Sequence, residues 1–106
     1  MGAVSLETGP APSIRIDVSS TGGPLDGQTR AYAEYRLFSR LAPEGAAVDW
    51  ATVALIEPDG HARLAVCTIS ISLHHGKRVR VSARAPHIYD AIDRAVDGAA
   101  RGVHSS

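Results

Sequence analysis

The sequence predicts a single α+β domain in which a four-stranded sheet carries two helices on one face. Four segments alternate apolar and polar side chains, which is typical of strands with one buried face. Two longer segments repeat apolar residues at helical spacing, and the turn residues between the segments give the order β-α-β-β-β-α. Because every element has one apolar side, placing both helices against the same face of the sheet buries all of these sides together.

The chain's length of 106 residues suits one small domain. Residues 1–12 hold two glycines and two prolines without periodicity, so we expect a mobile tail and a single domain over residues 13–104. No apolar run approaches the ~20 residues that cross a bilayer, and the N-terminus does not resemble a secretion signal. The single cysteine, Cys67, lies in an apolar run. These features predict a cytoplasmic protein with no membrane contact, in which Cys67 is a buried small hydrophobic residue.

The first strand and the first helix are predicted within residues 13–42. Residues 13–19 alternate as a half-buried strand does. Asp26 is in position to cap the helix that follows, and Pro43 ends that helix. Arg36 and Arg40 fall on one side of it. The residues expected on its opposite, buried side are Ala31, Tyr35, Phe38, Leu41 and Ala42.

Three strands are predicted in the middle of the chain, over residues 50–57, 63–73 and 77–83. The turns between them are expected at residues 58–60 and 74–76, where proline, aspartate and glycine favour reversal. From residue 65 onward, odd-numbered positions of the third strand are apolar and most even-numbered ones are hydroxylic, which predicts one core face and one wet face. The residues expected on the open face of the sheet are Thr68, Ser70, Ser72, Arg78, Arg80 and Arg84.

The last helix is expected to follow Pro86, because proline is tolerated at a helix start. Its apolar stripe is predicted to comprise Tyr89, Ile92, Val96, Ala99, Ala100 and Val103. Gly98 and Gly102 each cost about 1 kcal/mol relative to alanine in a helix. The sequence therefore predicts a frayed last turn.

The polar side chains of this helix predict two acid–base pairs. Asp90 precedes Arg94, and Asp97 precedes Arg101, by the four residues that favour such pairs. Asp93 flanks the apolar stripe instead, so we expect it to bond to the sheet or to cap a loop.

The sequence carries none of the motifs that indicate catalysis. A Ser-His-Asp grouping, a nucleophile elbow and a glycine-rich phosphate loop are all absent. The five histidines do not have the spacing of a metal site. We therefore expect a protein that is not an enzyme, with no cofactor, no metal and no small-molecule substrate.

The basic residues favour binding to a polyanion by position and not by net charge. Eleven basic residues balance eleven acidic ones, so no overall field attracts nucleic acid. Ten of the basic residues are arginines, which bind phosphate through two parallel hydrogen bonds and stack on bases. The alternative is that strand arginines only solubilise an open face and protect its edge. The candidate RNA-binding residues are Arg36, Arg40, Lys77, Arg78, Arg80, Arg84, Arg94 and Arg101.

Three segments, over residues 29–38, 79–83 and 87–97, resemble the ribosome hibernation-promoting factor family, also called ribosome-associated inhibitors or ribosomal subunit interface proteins. The resemblance covers roughly residues 13–103. Its most specific part is the Tyr-x-Ala-Ile-Asp motif, matched by Tyr89, Ala91, Ile92 and Asp93, for which it implies structural roles. Arg101 stands downstream, where the family also carries a base.

The resemblance implies a bacterial stress-response factor that acts by occlusion. Such a protein binds the 16S rRNA of the small ribosomal subunit near the decoding centre and blocks the mRNA and tRNA sites. The longer relatives carry a C-terminal dimerisation domain, and none is expected here. We therefore expect a monomer off the ribosome and no ribosome pairing by that route. The lysine-rich end of the family's last helix is missing, with glycine and serine at Gly98 and Ser105.

Two other classes of protein share parts of this pattern. From the first helix onward, the order α-β-β-β-α is also that of double-stranded RNA-binding domains. Those domains place lysines at the start of the last helix, whereas this helix opens with His87-Ile-Tyr-Asp90. The balanced charge and the polar open face also suit a protein-interaction module that binds no nucleic acid.

Overall fold

The structure, a computed structural model, describes residues 14–21, 25–58 and 64–105. The expected N-terminal tail over residues 1–12 lies outside these ranges, as does part of the turn expected at residues 58–60. The elements are β1 (Arg15–Thr21), α1 (Gly27–Leu41), a 3₁₀ segment (Ala42–Ala47), β2 (Val48–Ile56), β3 (Ala65–Leu73), β4 (Arg78–Ala85) and α2 (Ile88–His104). This order confirms the predicted β-α-β-β-β-α arrangement and the α+β class.

The four strands form one mixed sheet in the order β1-β2-β3-β4. β1 runs parallel to β2, and the two later pairs are antiparallel. β1 and β4 therefore form the two edges of this sheet, and both helices pack on the same face of it. The hairpin between β3 and β4 turns at Gly76, whose φ of 85° suits a residue without a side chain.

Alternation along the strands separates the core from the open face, as the sequence predicts. The five odd-numbered residues of β3, from Ala65 to Leu73, are buried, and in β4 the even-numbered Arg78, Arg80 and Arg84 are exposed. Cys67 is fully buried, as predicted, and burial raises the pKa of its thiol to about 12. The thiolate is therefore suppressed at neutral pH.

The buried side of α1 differs from the predicted one. The structure buries Thr29, Ala33, Leu37 and Leu41, whereas Tyr35 is 69% exposed and Phe38 42% exposed. The two candidate stripes share Leu41 and both have helical spacing, so periodicity alone does not choose between them. The stripe through Ala33 and Leu37 faces inward because that side of α1 meets β1 and α2.

Asp26 occupies the N-cap position of α1, as predicted, but its carboxylate does not bond to a backbone N–H. It accepts a hydrogen bond from the Thr29 hydroxyl at 3.3 Å instead.

The predicted fraying of the last turn of α2 is wrong. The helix continues to His104, and Val103 near its end is only 5% exposed. The glycines let the helix approach β4: a Cβ at Gly98 would lie 2.9 Å from Val81 Cγ1, and one at Gly102 would lie 2.6 Å from Val79 Cγ1. Packing against the sheet thus offsets the low helix propensity of glycine. Of the predicted stripe, Ile92, Val96, Ala99 and Val103 are buried, whereas Tyr89 is 39% exposed and Ala100 is partly exposed.

Candidate nucleic-acid interface

Three arginines project from the edge strand β4 onto the open face of the sheet. Arg78, Arg80 and Arg84 alternate with the core residues of the strand and are all exposed. None of the three forms an ion pair with a carboxylate of the described residues. Lys77 is also exposed, in the turn immediately before the strand. Four cations therefore follow one another along a single edge.

Two arginines of α2 extend this edge to the helical layer. Arg94 Nη1 donates a hydrogen bond of 3.0 Å to the backbone carbonyl of Arg84, which places the guanidinium of Arg94 beside β4. Arg101 follows seven residues later, on the same side of the helix, and is exposed. We call the group formed by Lys77, Arg78, Arg80, Arg84, Arg94 and Arg101 the basic edge. Asp90, one turn before Arg94, is an exposed carboxylate on this side of α2.

Arg36 and Arg40 do not belong to the basic edge. Arg36 Nε lies 3.0 Å from Asp93 Oδ1, and Arg40 is paired with Asp97. Arg36 and Arg40 of α1 thus each meet an aspartate of α2, and the four-residue spacing is the same on both helices. These two candidate RNA-binding residues lie at the seam between the helices, where their charges are already neutralised.

The two acid–base pairs predicted within α2 are absent from the described structure. Asp97 contacts Arg40 of α1, and Arg94 bonds to the backbone of β4. The other helix and the edge strand supply these partners, which i,i+4 spacing on one helix does not reveal.

Asp93 bonds to α1, and not to the sheet or a loop as predicted. Its carboxylate accepts a hydrogen bond of 2.7 Å from the Tyr32 hydroxyl as well as the one from Arg36. The Asp93 hydrogen bond raises the pKa of Tyr32, and it also raises the pKa of Arg36. The Tyr32 and Tyr89 rings meet edge to face with centroids 4.6 Å apart.

The Tyr-x-Ala-Ile-Asp motif therefore lies where α2 meets the rest of the domain. Tyr89 and Asp93 contact α1, and Ala91 and Ile92 are completely buried. The structural roles that the resemblance implies for these residues stay a prediction.

Sequence reasoning missed Trp50 on the open face of the sheet. Trp50 in β2 is 41% exposed, with the Arg15 guanidinium carbon 5.1 Å from its ring centroid. Its indole N–H donates a hydrogen bond of 2.9 Å to Asp17. The signal was present in the sequence, because the apolar Ala51, Val53 and Leu55 assign the even-numbered positions of this strand to the outside.

The described elements thus define a small α+β domain with a cationic edge and a polar open sheet face. The sequence model of the sigma 54 modulation protein / S30EA ribosomal protein family matches residues 16–105. The chain therefore belongs to this family, which confirms the resemblance to the hibernation-promoting factors. A comparison with curated protein sequences gives no match.

Solved structures that share the fold include the following two. One is the N-terminal domain of Protein Y from Thermus thermophilus, with 27% identity and a TM-score of 0.70 over 87% of this chain and 96% of that one. The other is a ribosomal subunit interface protein from Coxiella burnetii, with 13% identity and a TM-score of 0.74 over 86% and 94% of the two chains. The second likeness concerns the fold alone. Across the part of this chain that the structure describes, no helix has the length and apolarity needed to span a membrane.

Proposed function

We propose that this protein is a ribosome-associated translation inhibitor that binds the 16S rRNA of the small subunit near the decoding centre and blocks the mRNA and tRNA sites. The observation that carries the proposal is the basic edge. It gathers six cationic side chains along β4 and α2, none of them in an ion pair with a described carboxylate. Membership of a family of ribosomal proteins supports the choice of ribosomal RNA as the polyanion.

The basic edge explains how a protein without net charge holds RNA. Each guanidinium presents a fork of N–H donors that matches two phosphate oxygens. Arg36 and Arg40 are neutralised within the helix seam, so the acidic residues near them do not oppose the edge directly. Contacts to the phosphate backbone position a protein by the shape of the RNA and carry no sequence information. Folded ribosomal RNA offers such a shape.

Inhibition by this route needs no bond to be made or broken. A folded domain lodged where mRNA and tRNA pass excludes both sterically, and dissociation restores the ribosome. The protein would act in the cytoplasm, where its target lies, and as a monomer. Its affinity would depend steeply on salt, because phosphate contacts release counterions.

Sedimentation with purified small subunits tests this function. We expect the wild-type protein to co-sediment at low salt and to be released as salt rises. Changing Arg78, Arg80 and Arg94 to glutamate should abolish co-sedimentation.

A matched pair of single variants controls for net charge. Arg80→Glu and Arg30→Glu change the charge equally and at exposed positions, but Arg30 lies in α1, outside the basic edge. Only Arg80→Glu should weaken binding. Wild-type protein that stays at the top of the gradient at low salt would refute ribosome binding. Equal weakening by both single variants would refute the basic edge as the contact surface.

A further inference from the structure

The single tryptophan of the chain is exposed on the open face of the sheet instead of in the core. Trp50 leaves 41% of its surface in solvent, although tryptophan is among the most buried side chains on average. Covering an exposed indole removes apolar surface from water, which favours the binding of a ligand there. The exposed ring is therefore accessible to a ligand with an aromatic or cationic face.

One side of the indole is held in place by its neighbours on β1. Register places Arg15 opposite Trp50, with its guanidinium carbon 5.1 Å from the ring centroid. Asp17 accepts a hydrogen bond of 2.9 Å from the indole N–H and lies 3.3 Å from Arg15 Nε. The ring is therefore oriented before any ligand arrives, and the Arg15–Asp17 pair adds no net charge.

The other side of the indole faces a groove toward the basic edge. Register places Ser72 opposite Trp50 and Arg78 opposite Ser72. Trp50 and Arg78 are therefore two strand spacings apart, about 9.6 Å, with only a small serine between them. The groove has a volume of about 150 Å³. The residues that line it are Trp50, Thr52, Ser70, Ile71, Ser72 and Arg78.

We propose that this groove, the Trp50 slot, binds one unpaired RNA base stacked between the Trp50 indole and the Arg78 guanidinium. A volume on the order of 150 Å³ accepts a six-membered aromatic ring. Every base has a flat face that stacks on tryptophan and on guanidinium planes. The hydroxyls of Ser70 and Ser72 on the floor can both donate to and accept from the edge of a base.

The Trp50 slot extends the basic edge across the open face of the sheet. This proposal rests on the proposed function, the binding of ribosomal RNA. Arg78 belongs to both features, and Arg80 continues the cationic row one step along β4. An RNA strand whose phosphates follow the edge can therefore turn one base inward over Ser72. A base within a duplex is already stacked and cannot enter, so the slot selects unpaired nucleotides.

The intrinsic fluorescence of Trp50 reports on the slot directly, because the chain contains no other tryptophan. Titration with a short oligouridylate should quench this emission, whereas a short RNA duplex should leave it unchanged. Trp50→Ala should weaken oligouridylate binding, measured by anisotropy of a labelled oligomer, by about 5- to 150-fold, the range for loss of one base–aromatic stack. Trp50→Phe, which keeps a ring, should retain most of the binding. Ser72→Gln, which fills the slot and leaves the indole in place, should abolish quenching.

Different outcomes of these experiments refute the Trp50 slot alone or both the slot and the proposed function. If small subunits and oligouridylate both bind but the emission does not change and Trp50→Ala binds normally, the slot is refuted and the basic edge stands. If neither RNA binds, both proposals fail. If the emission instead changes on dilution of the protein alone, a second copy of the chain covers Trp50 and the slot is refuted. Thermal unfolding of each variant identifies any that lose the fold, and Ser72→Gln then decides the question with Trp50 intact.

Discussion

Arg36 of α1 donates to Asp93 of α2 across a distance of 3.0 Å, and the pair joins the two helices. The sequence predicts instead an RNA-binding arginine and an aspartate that bonds to the sheet or caps a loop. Tyr32 shares the same carboxylate oxygen, and Arg40 meets Asp97 one turn further along. Because both pairs advance in the same direction along the chain, the two helices run parallel. These arginines therefore stabilise the domain and are not counted among the residues of the basic edge.

We expect Arg36→Ala to affect stability more than RNA binding. The side chains of Arg36 and Asp93 are 31% and 37% exposed, so solvent screens the pair, and its loss should lower the free energy of unfolding by about 1 kcal/mol or less. A double-mutant cycle with Asp93→Ala, followed by urea unfolding, measures the coupling. Co-sedimentation with small subunits should change by less than about two-fold (~0.4 kcal/mol). A large loss of binding in a well-folded Arg36→Ala protein would instead show that Arg36 contacts the RNA.

Removing one cation of the basic edge should change the salt dependence of binding. Arg80→Ala deletes one phosphate contact, so the slope of log K against log[salt] should fall in magnitude by about 1. Arg30→Ala, at an exposed site on α1, should leave the slope unaltered. Binding measured over a series of salt concentrations gives both slopes. Parallel lines for the wild type and Arg80→Ala would exclude Arg80 from contact with phosphate.

Gly102→Ala should destabilise the protein although alanine favours helices. The gain in propensity is about 1 kcal/mol, but the new Cβ would lie 2.6 Å from Val79 Cγ1, and overpacking of this kind costs ~1–3 kcal/mol. Val79→Ala removes the clashing methyl. In a double-mutant cycle followed by urea unfolding, the double variant should therefore be less destabilised than the sum of the two single variants. Additive effects of the two changes would show that the new Cβ does not clash with Val79.

The stability contributed by the buried thiol should depend on pH. The pKa of Cys67 is about 12 in the folded protein and about 8.5 in an unfolded chain. The unfolded state loses this proton first as the pH rises. The contribution of the thiol to the free energy of unfolding is therefore complete below about pH 8.5, and it is lost as the pH rises toward 12, by up to ~1.4 kcal/mol per pH unit.

Cys67→Ala lacks this group and supplies the control. The other titrating residues are common to both proteins, so their effects largely cancel in the difference between the two unfolding free energies. That difference should shift in favour of Cys67→Ala as the pH is raised from 8 to 10.5. A difference that stays constant over this range would show that the thiol is not shielded in the folded state.

The faces of the strands were predictable because a period of two leaves only two choices. In β4, three arginines at alternate positions cannot all be buried, so Val79, Val81 and Ala83 had to face the helices. The α1 helix offered no such constraint, since two of its sides carry a stripe at helical spacing that includes Leu41. The choice depended on which side met α2, and that is a property of the assembled domain.

The ionic contacts were less predictable than the faces. The partners of Asp93 and Asp97 lie 57 residues away in the chain, and only folding brings them together. The shared open face of Arg78, Arg80 and Arg84 was predicted correctly because the three belong to one strand. The Trp50 slot was missed because its two walls, Trp50 and Arg78, belong to strands separated by a third.

The α2 helix packs closely on β4, so a substitution that widens the gap between them also moves the arginines of α2 away from the strand. A lysine at position 98 would add a cation beside Arg94 and Arg101, but its Cβ would press on Val81 and lift the helix. Gaining charge at this position would thus move existing charges away from the strand. Variation at this surface is therefore expected to be concerted, with residues 79, 81, 98 and 102 changing together or not at all.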